Sequence, residues 1–153
     1  MLSFGKPFYS DYFLGAHQLD WATEEKDLGV WVSSNLKSTR QCNAVYKRAS
    51  NVLGMLKRIF SGFTVNTLPI VTKTYLMPSM EYAIQAWSPW FKKDSELLDK
   101  INHRAPKMVR ELEHLSYNER MESVNMLGSN CRMIRADLIL TYRILSNTHH
   151  TLR

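Results

Sequence analysis

Six basic side chains, Lys37, Arg40, Lys47, Arg48, Lys57 and Arg58, have the types and spacing that best fit a chemical task. That task is holding phosphate, which the planar Arg fork grips through two hydrogen bonds and Lys meets as a point charge. All six lie within residues 34 to 75, a stretch with seven Lys or Arg and no Asp or Glu, in a chain of 153 residues and net charge +6. Residues 1 to 33 carry two basic against five acidic side chains, and residues 76 to 153 carry 11 against nine. One segment therefore holds the basic character. It is expected to face a polyanion, the alternative being a solvated face balanced elsewhere in a larger protein.

Other chemistries have little to stand on. His17, His103, His114, His149 and His150 are scattered, with no pair at i, i+4 and none at knuckle spacing from a cysteine, so no metal site is expected. There is no glycine-rich phosphate loop, no Gly-x-Ser-x-Gly elbow, and no Ser or Cys beside a His and an acid. Glu24, Glu25 and Asp27 form the one dense group of carboxylates and read as a solvated hairpin turn spanning Thr23 to Asp27. The aromatics Tyr82, Trp87, Trp90 and Phe91 are better placed to pack than to stack on bases, since Ala83, Ala86, Trp87 and Trp90 share a helical face. Cys42 and Cys131 are expected to be reduced, semi-buried thiols.

The elements that must carry the basic residues follow from the hydrophobic period. Tyr12 and Leu14, Leu19 and Trp21, then Leu28, Val30 and Val32 alternate as short strands over residues 8 to 33, a small antiparallel meander. Two or three strands alone are marginal in water, so they must pack on the helices or join a sheet from elsewhere. From Ser38 the period becomes helical: Val45, Ala49, Val52, Leu53, Leu56 and Phe60 form one stripe, ending near Ser61 and Gly62. At about 100° per residue, Arg40, Lys47, Asn51 and Arg58 line the opposite face within roughly 20°, with Lys37 and Arg48 on its flank. A second helical stretch, 65 to 87, is expected to be interrupted at Pro69 and Pro78. A third, capped by Asp94 or Ser95, points Leu97, Leu98, Ile101, Ala105, Met108 and Val109 inward. Ser116 to Glu119 is a capping box for a fourth, and a fifth from Ser129 or Asn130 to Asn147 carries Ile134, Leu138, Tyr142 and Leu145 as its stripe. The expected fold is mainly α, a bundle of about five helices behind a β meander. With 44% apolar residues it can bury a core, and no apolar run approaches the roughly 20 residues of a membrane span, so a soluble, intracellular chain is expected.

Several blocks in this order carry a further signal: Glu25-Lys26-Asp27-Leu28-Gly29-Val30, Ser33-Ser34-Asn35-Leu36-Lys37 with Gln41-Cys42, and Asn51-Val52-Leu53-Gly54-Met55-Leu56-Lys57-Arg58. They continue with Glu81-Tyr82-Ala83-Ile84-Gln85-Ala86-Trp87-Ser88-Pro89, then Arg135-Ala136-Asp137-Leu138-Ile139 with Tyr142-Arg143-Ile144-Leu145. Together they resemble the C-terminal part of reverse transcriptases of non-LTR (LINE-like, jockey or chicken-repeat type) retrotransposons, from about Leu2 to Leu145. The resemblance implies that residues 1 to 33 are residual palm strands of the primer grip and residues 34 to 153 a helical thumb and connector. It also implies that the Tyr/Phe-x-Asp-Asp motif, whose carboxylates hold two Mg²⁺ ions in the parent enzyme, would precede Met1. This chain is thus expected to be noncatalytic alone, without a cofactor. Its implied partner is a template–primer duplex of RNA or DNA, and a second partner would be the missing palm; no membrane is implied. Pro106, Met133 and Ala136 depart from the family pattern in the manner of a decayed copy. The competing readings are a helical protein-interaction module and an inert translated remnant.

Overall fold

Val45, Ala49, Leu53 and Leu56 are buried along one side of a single helix, α1 (Thr39–Ile59), as their spacing requires. The computed structural model describes Leu2, Phe4 and residues 11 to 150, with side chains through residue 146. It is mainly α, with two small antiparallel sheets ahead of the helices, which is the expected fold class. Residues 8 to 10 of the expected meander lie outside the described residues, as does the side chain of Asn147 at the end of the fifth expected helix.

The first hairpin pairs β1 (Phe13–Leu14) with β2 (His17–Gln18) and leaves Phe13 and Leu14 exposed. The second pairs β3 (Glu24–Asp27) with β4 (Val30–Ser33), from Glu24 opposite Ser33 to Asp27 opposite Val30. That register corrects the expected turn at 23 to 27: the acidic residues form a strand, and Leu28 with Gly29 forms the turn. A two-residue connection that matches strand twist requires positive φ at both positions. Gly29 supplies one freely at 87°, and Leu28 adopts 44° while its carbonyl accepts from the Tyr82 hydroxyl at 3.0 Å. This hairpin packs on the helices: Val30 joins the core of Val45 and Ala49, and the Trp31 N–H donates to Gln41 Oε1 at 3.0 Å.

The next helical stretch runs α2 (Thr67–Val71), a π-helical turn (Thr72–Leu76) and α3 (Met77–Glu81) without the expected interruptions. Pro69 sits in the first turn, where its missing N–H has no partner to lose. Pro78 follows the wider turn that the Met77 N–H closes on the Thr72 carbonyl, so the shifted bonding pattern accommodates it. The break falls instead at Tyr82 and at Ala83, which takes a left-handed φ of 50° before α4 (Ile84–Trp87). Trp87 is buried and its indole N–H donates to the Tyr82 carbonyl at 2.8 Å. Ala86 and Trp90 are exposed, the latter at 89%, which corrects their expected place on a packed face. Ser88-Pro89 ends α4 before Trp90 can share its face.

The third expected helix, α5 (Lys92–Arg104), begins before Asp94 and stops five residues short of Val109. Pro106 cannot continue it and instead opens a 3₁₀ turn (Pro106–Met108), followed by another (Arg110–Leu112). α6 (Tyr117–Ser123) has the expected box: Glu119 N–H donates to Ser116 Oγ at 3.5 Å, and Ser116 N–H to Glu119 Oε2 at 2.7 Å. Hydrogen bonds from the Ser116 hydroxyl and from its backbone N–H hold the Glu119 carboxyl below its usual range.

α7 (Ser129–His150) corrects the last expectation. Ile134, Leu138, Tyr142 and Leu145 are exposed, because the helix packs through Arg132, Met133 and Ala136, about one residue's rotation away. Arg132 is the anchor: its guanidinium donates to Glu81 Oε1 at 2.5 Å, to Asn102 Oδ1 at 3.0 Å and to the Leu127 carbonyl.

Two cores result. One joins Val30, Val45, Ala49, Trp87, Leu98 and Ile101; the other joins Leu56, Phe63, Leu68, Val109, Leu112 and Val124. α1 runs through both, and Val52 and Met108 touch each.

The cysteines divide more sharply than expected. Cys42 is fully buried and Cys131 exposed, so neither is semi-buried. Burial pushes the Cys42 thiol up to about 11, because the thiolate loses its hydration there. At pH 8 under native conditions Ellman's reagent should therefore titrate one thiol promptly, and the second only in denaturant. Prompt reaction of two would contradict the closed packing around Cys42.

Candidate nucleic-acid interface

The six basic side chains singled out by spacing are all exposed, but they do not act alike. Arg40 lies 3.1 Å from Glu24 Oε2, and its guanidinium sits 4.2 Å from the centroid of the Trp31 ring. It clamps the β3–β4 hairpin to α1, so a carboxylate from outside the acid-free segment balances it. Lys37 lies 5.9 Å over the Phe91 ring, off the helix start. Lys47 and Arg48 occupy the middle of α1, and Lys57 and Arg58 its last turn. From Arg40 to Arg58 the line spans roughly 27 Å at about 1.5 Å per residue, comparable to the rise of eight base pairs at about 3.4 Å each.

Lys57 and Arg58 open onto a cleft of about 540 Å³ that they share with Arg104, Lys107 and Arg110. Among the described residues, Glu113 is the one carboxylate lining it. None of these five cations makes an ion pair among the described residues, so their charge is available to a ligand. Three local causes build this arrangement. α5 lies parallel to α1, with the Thr39 hydroxyl donating to the buried Asp94 at 2.8 Å near their starts and Arg104 reaching Ser50 Oγ at 3.4 Å further along. Pro106 then ends α5, and the 3₁₀ turns carry Lys107 and Arg110 to the end of α1. Finally Arg120 donates to the Leu112 and Glu113 carbonyls, both at 2.8 Å, and fixes the second turn from α6.

Arg104, Lys107 and Arg110 were not among the residues picked out by spacing. A signal existed: residues 100 to 110 hold five Lys, Arg or His and no acid, a local excess hidden when the near-balanced block 76 to 153 is read as one. Part of the lining is apolar: Leu53, Phe60, Phe63 and Met108. Phe60, 39% exposed, leans on the buried Phe63 with ring centroids 5.2 Å apart, and side chains at Gly54 and Gly62 would meet nothing within 4 Å.

No group of three or more His, Cys, Asp or Glu is arranged to hold a metal among the described residues. No helix among them is long and apolar enough to cross a membrane. Comparison with known protein families, with curated proteins and with solved structures finds no match for this chain.

Proposed function

We propose that this chain binds the backbone of RNA or DNA without sequence choice, as a noncatalytic unit like the thumb and connector of a non-LTR retrotransposon reverse transcriptase. The observation that carries the reading is the convergence of Lys57, Arg58, Arg104, Lys107 and Arg110 from separate elements around one cleft, at the end of a helix whose exposed face also bears Lys47 and Arg48. Unpaired exposed cations repel one another and gain nothing from each other in the folded state, whereas phosphates satisfy them and release counterions. Fixed helices and turns hold them, so a phosphate chain meets a surface already formed. Arg40 has a structural part in this reading, and Lys37 lies at the edge of the surface.

The test is fluorescence anisotropy with a short duplex and an RNA–DNA hybrid across a salt series. Affinity should be similar for unrelated sequences, and log K should fall against log salt with a slope of roughly −3 to −5, at about −0.9 per neutralised phosphate. A slope near zero, or no binding at low salt, would overturn the reading and favour a protein-interaction module.

A further inference from the structure

The cleft has a composition that a surface for duplex backbone alone does not need. Phosphates require cations and donors, yet the lining here also includes Phe60, held against Phe63 and left 39% exposed, and the side-chain-free positions Gly54 and Gly62. The volume of about 540 Å³ lies within the roughly 300 to 1,000 Å³ of small-ligand pockets, which admits a nucleotide and not a double helix. An aromatic ring beside a cationic rim is the arrangement that accommodates an unpaired base and its phosphates, since every base presents a face to stack and every linkage a charge.

Resting on the backbone-binding reading above, we infer that the cleft at the end of α1 takes an unpaired nucleotide of a single strand, its base against Phe60 and its flanking phosphates on Lys57, Arg58, Lys107 and Arg110. Gly54 belongs to this account. A glycine inside a helix weakens it relative to alanine, and its position here, lining the cleft with open space where a Cβ would stand, leaves room for the strand to approach the helix backbone. Sequence choice is not expected, because stacking accepts all four bases.

The experiment uses the full chain, fluorescein-labelled oligothymidylate of 12 nucleotides, and a blunt duplex hairpin of equal charge. Phe60→Ala should weaken oligothymidylate binding about 10- to 100-fold, the range of base–aromatic stacking, with its salt slope unchanged because the ring carries no charge. Duplex affinity should change less than twofold. Phe60→Trp should retain the affinity, and its difference fluorescence against the wild-type chain should be quenched on adding oligothymidylate. That retained ring guards against a trivial folding defect in the alanine variant, which circular dichroism checks directly. Equal effects of Phe60→Ala on both probes, or no quenching in Phe60→Trp, would overturn the inference while salt-dependent duplex binding still supported the broader reading. Absence of binding to either probe at low salt would overturn both.

Discussion

Replacing Lys57, Arg58 and Lys107 together by Glu should weaken nucleic-acid binding by about a thousandfold at moderate salt. Three lost contacts at about 1.5 kcal/mol each, the low end for hydrogen bonds to charged groups, amount to that factor at tenfold for every 1.4 kcal/mol. All three side chains are exposed and line the same cleft, so their removal deletes no packed atoms. Helicity should be largely retained. Two of the substitutions place acid in the last turn of α1, where the helix dipole disfavours it by about 0.3 to 1 kcal/mol each. The corresponding Gln variant avoids that penalty and should shallow the salt slope by 2 to 3. Lys92→Glu with Lys93→Glu, two charge reversals in place of three and at the start of α5, should alter affinity less than threefold. Equal losses in the two charge-reversed proteins would show that net charge, and not this cleft, governs binding.

Arg132→Ala should destabilise the fold by about 2 to 3 kcal/mol. The Arg132 side chain is 14% exposed and joins α7 to Glu81, to Asn102 on α5 and to the Leu127 carbonyl. Its loss leaves the amide oxygen of Asn102, a residue 2% exposed, without that donor, and desolvated groups left unpaired cost about 1 to 3 kcal/mol. Glu81 is 40% exposed, so water recovers part of its interaction and the figure stays below that of a fully buried pair. Urea unfolding should show a lower midpoint, and thermal unfolding a Tm lower by roughly 4 to 12 °C for a domain of this size. Arg132→Lys should recover little, since an ammonium cannot reach three acceptors in a planar fork. A loss under about 0.5 kcal/mol would place the contact among ordinary surface pairs.

The two sites differ in how far the sequence disclosed them. α1, its buried stripe short of Phe60, which lies past the helix end and is exposed, and the Ser116 to Glu119 box were legible because each is a local pattern: a period of 3.6, or a donor and acceptor three residues apart. The line of Arg40, Lys47 and Arg58 was legible for the same reason, and all six basic residues singled out are exposed. What remained hidden was non-local. Neutralisation of Arg40 depends on Glu24, which arrives through a hairpin whose turn sits at Leu28 and Gly29, not among the acids. Assembly of the cleft depends on Pro106 ending α5, so a residue marked as a departure from a family pattern positions two of the five cations, Lys107 and Arg110. The stripe on α7 misled because an amphipathic period states which face is apolar without stating whether a neighbour exists to cover it.

The passage of α1 through both cores has a dynamic consequence. Its amides from about 42 to 53 are tied to the core that holds Leu98, Ile101 and Trp87, whereas those from 54 to 59 depend on the core of Leu68, Leu112, Met121 and Val124, assembled from the start of the 67 to 81 helical stretch, short turns and a seven-residue helix. Sub-global opening of that second core would fray the last turns of α1 while leaving its first half intact. Hydrogen exchange should therefore step upward along a continuous helix, with Lys57 and Arg58 on the faster side. A ligand bridging α1 to the 3₁₀ turns would slow exchange there first, coupling occupancy of the cleft to the cooperativity of the whole chain.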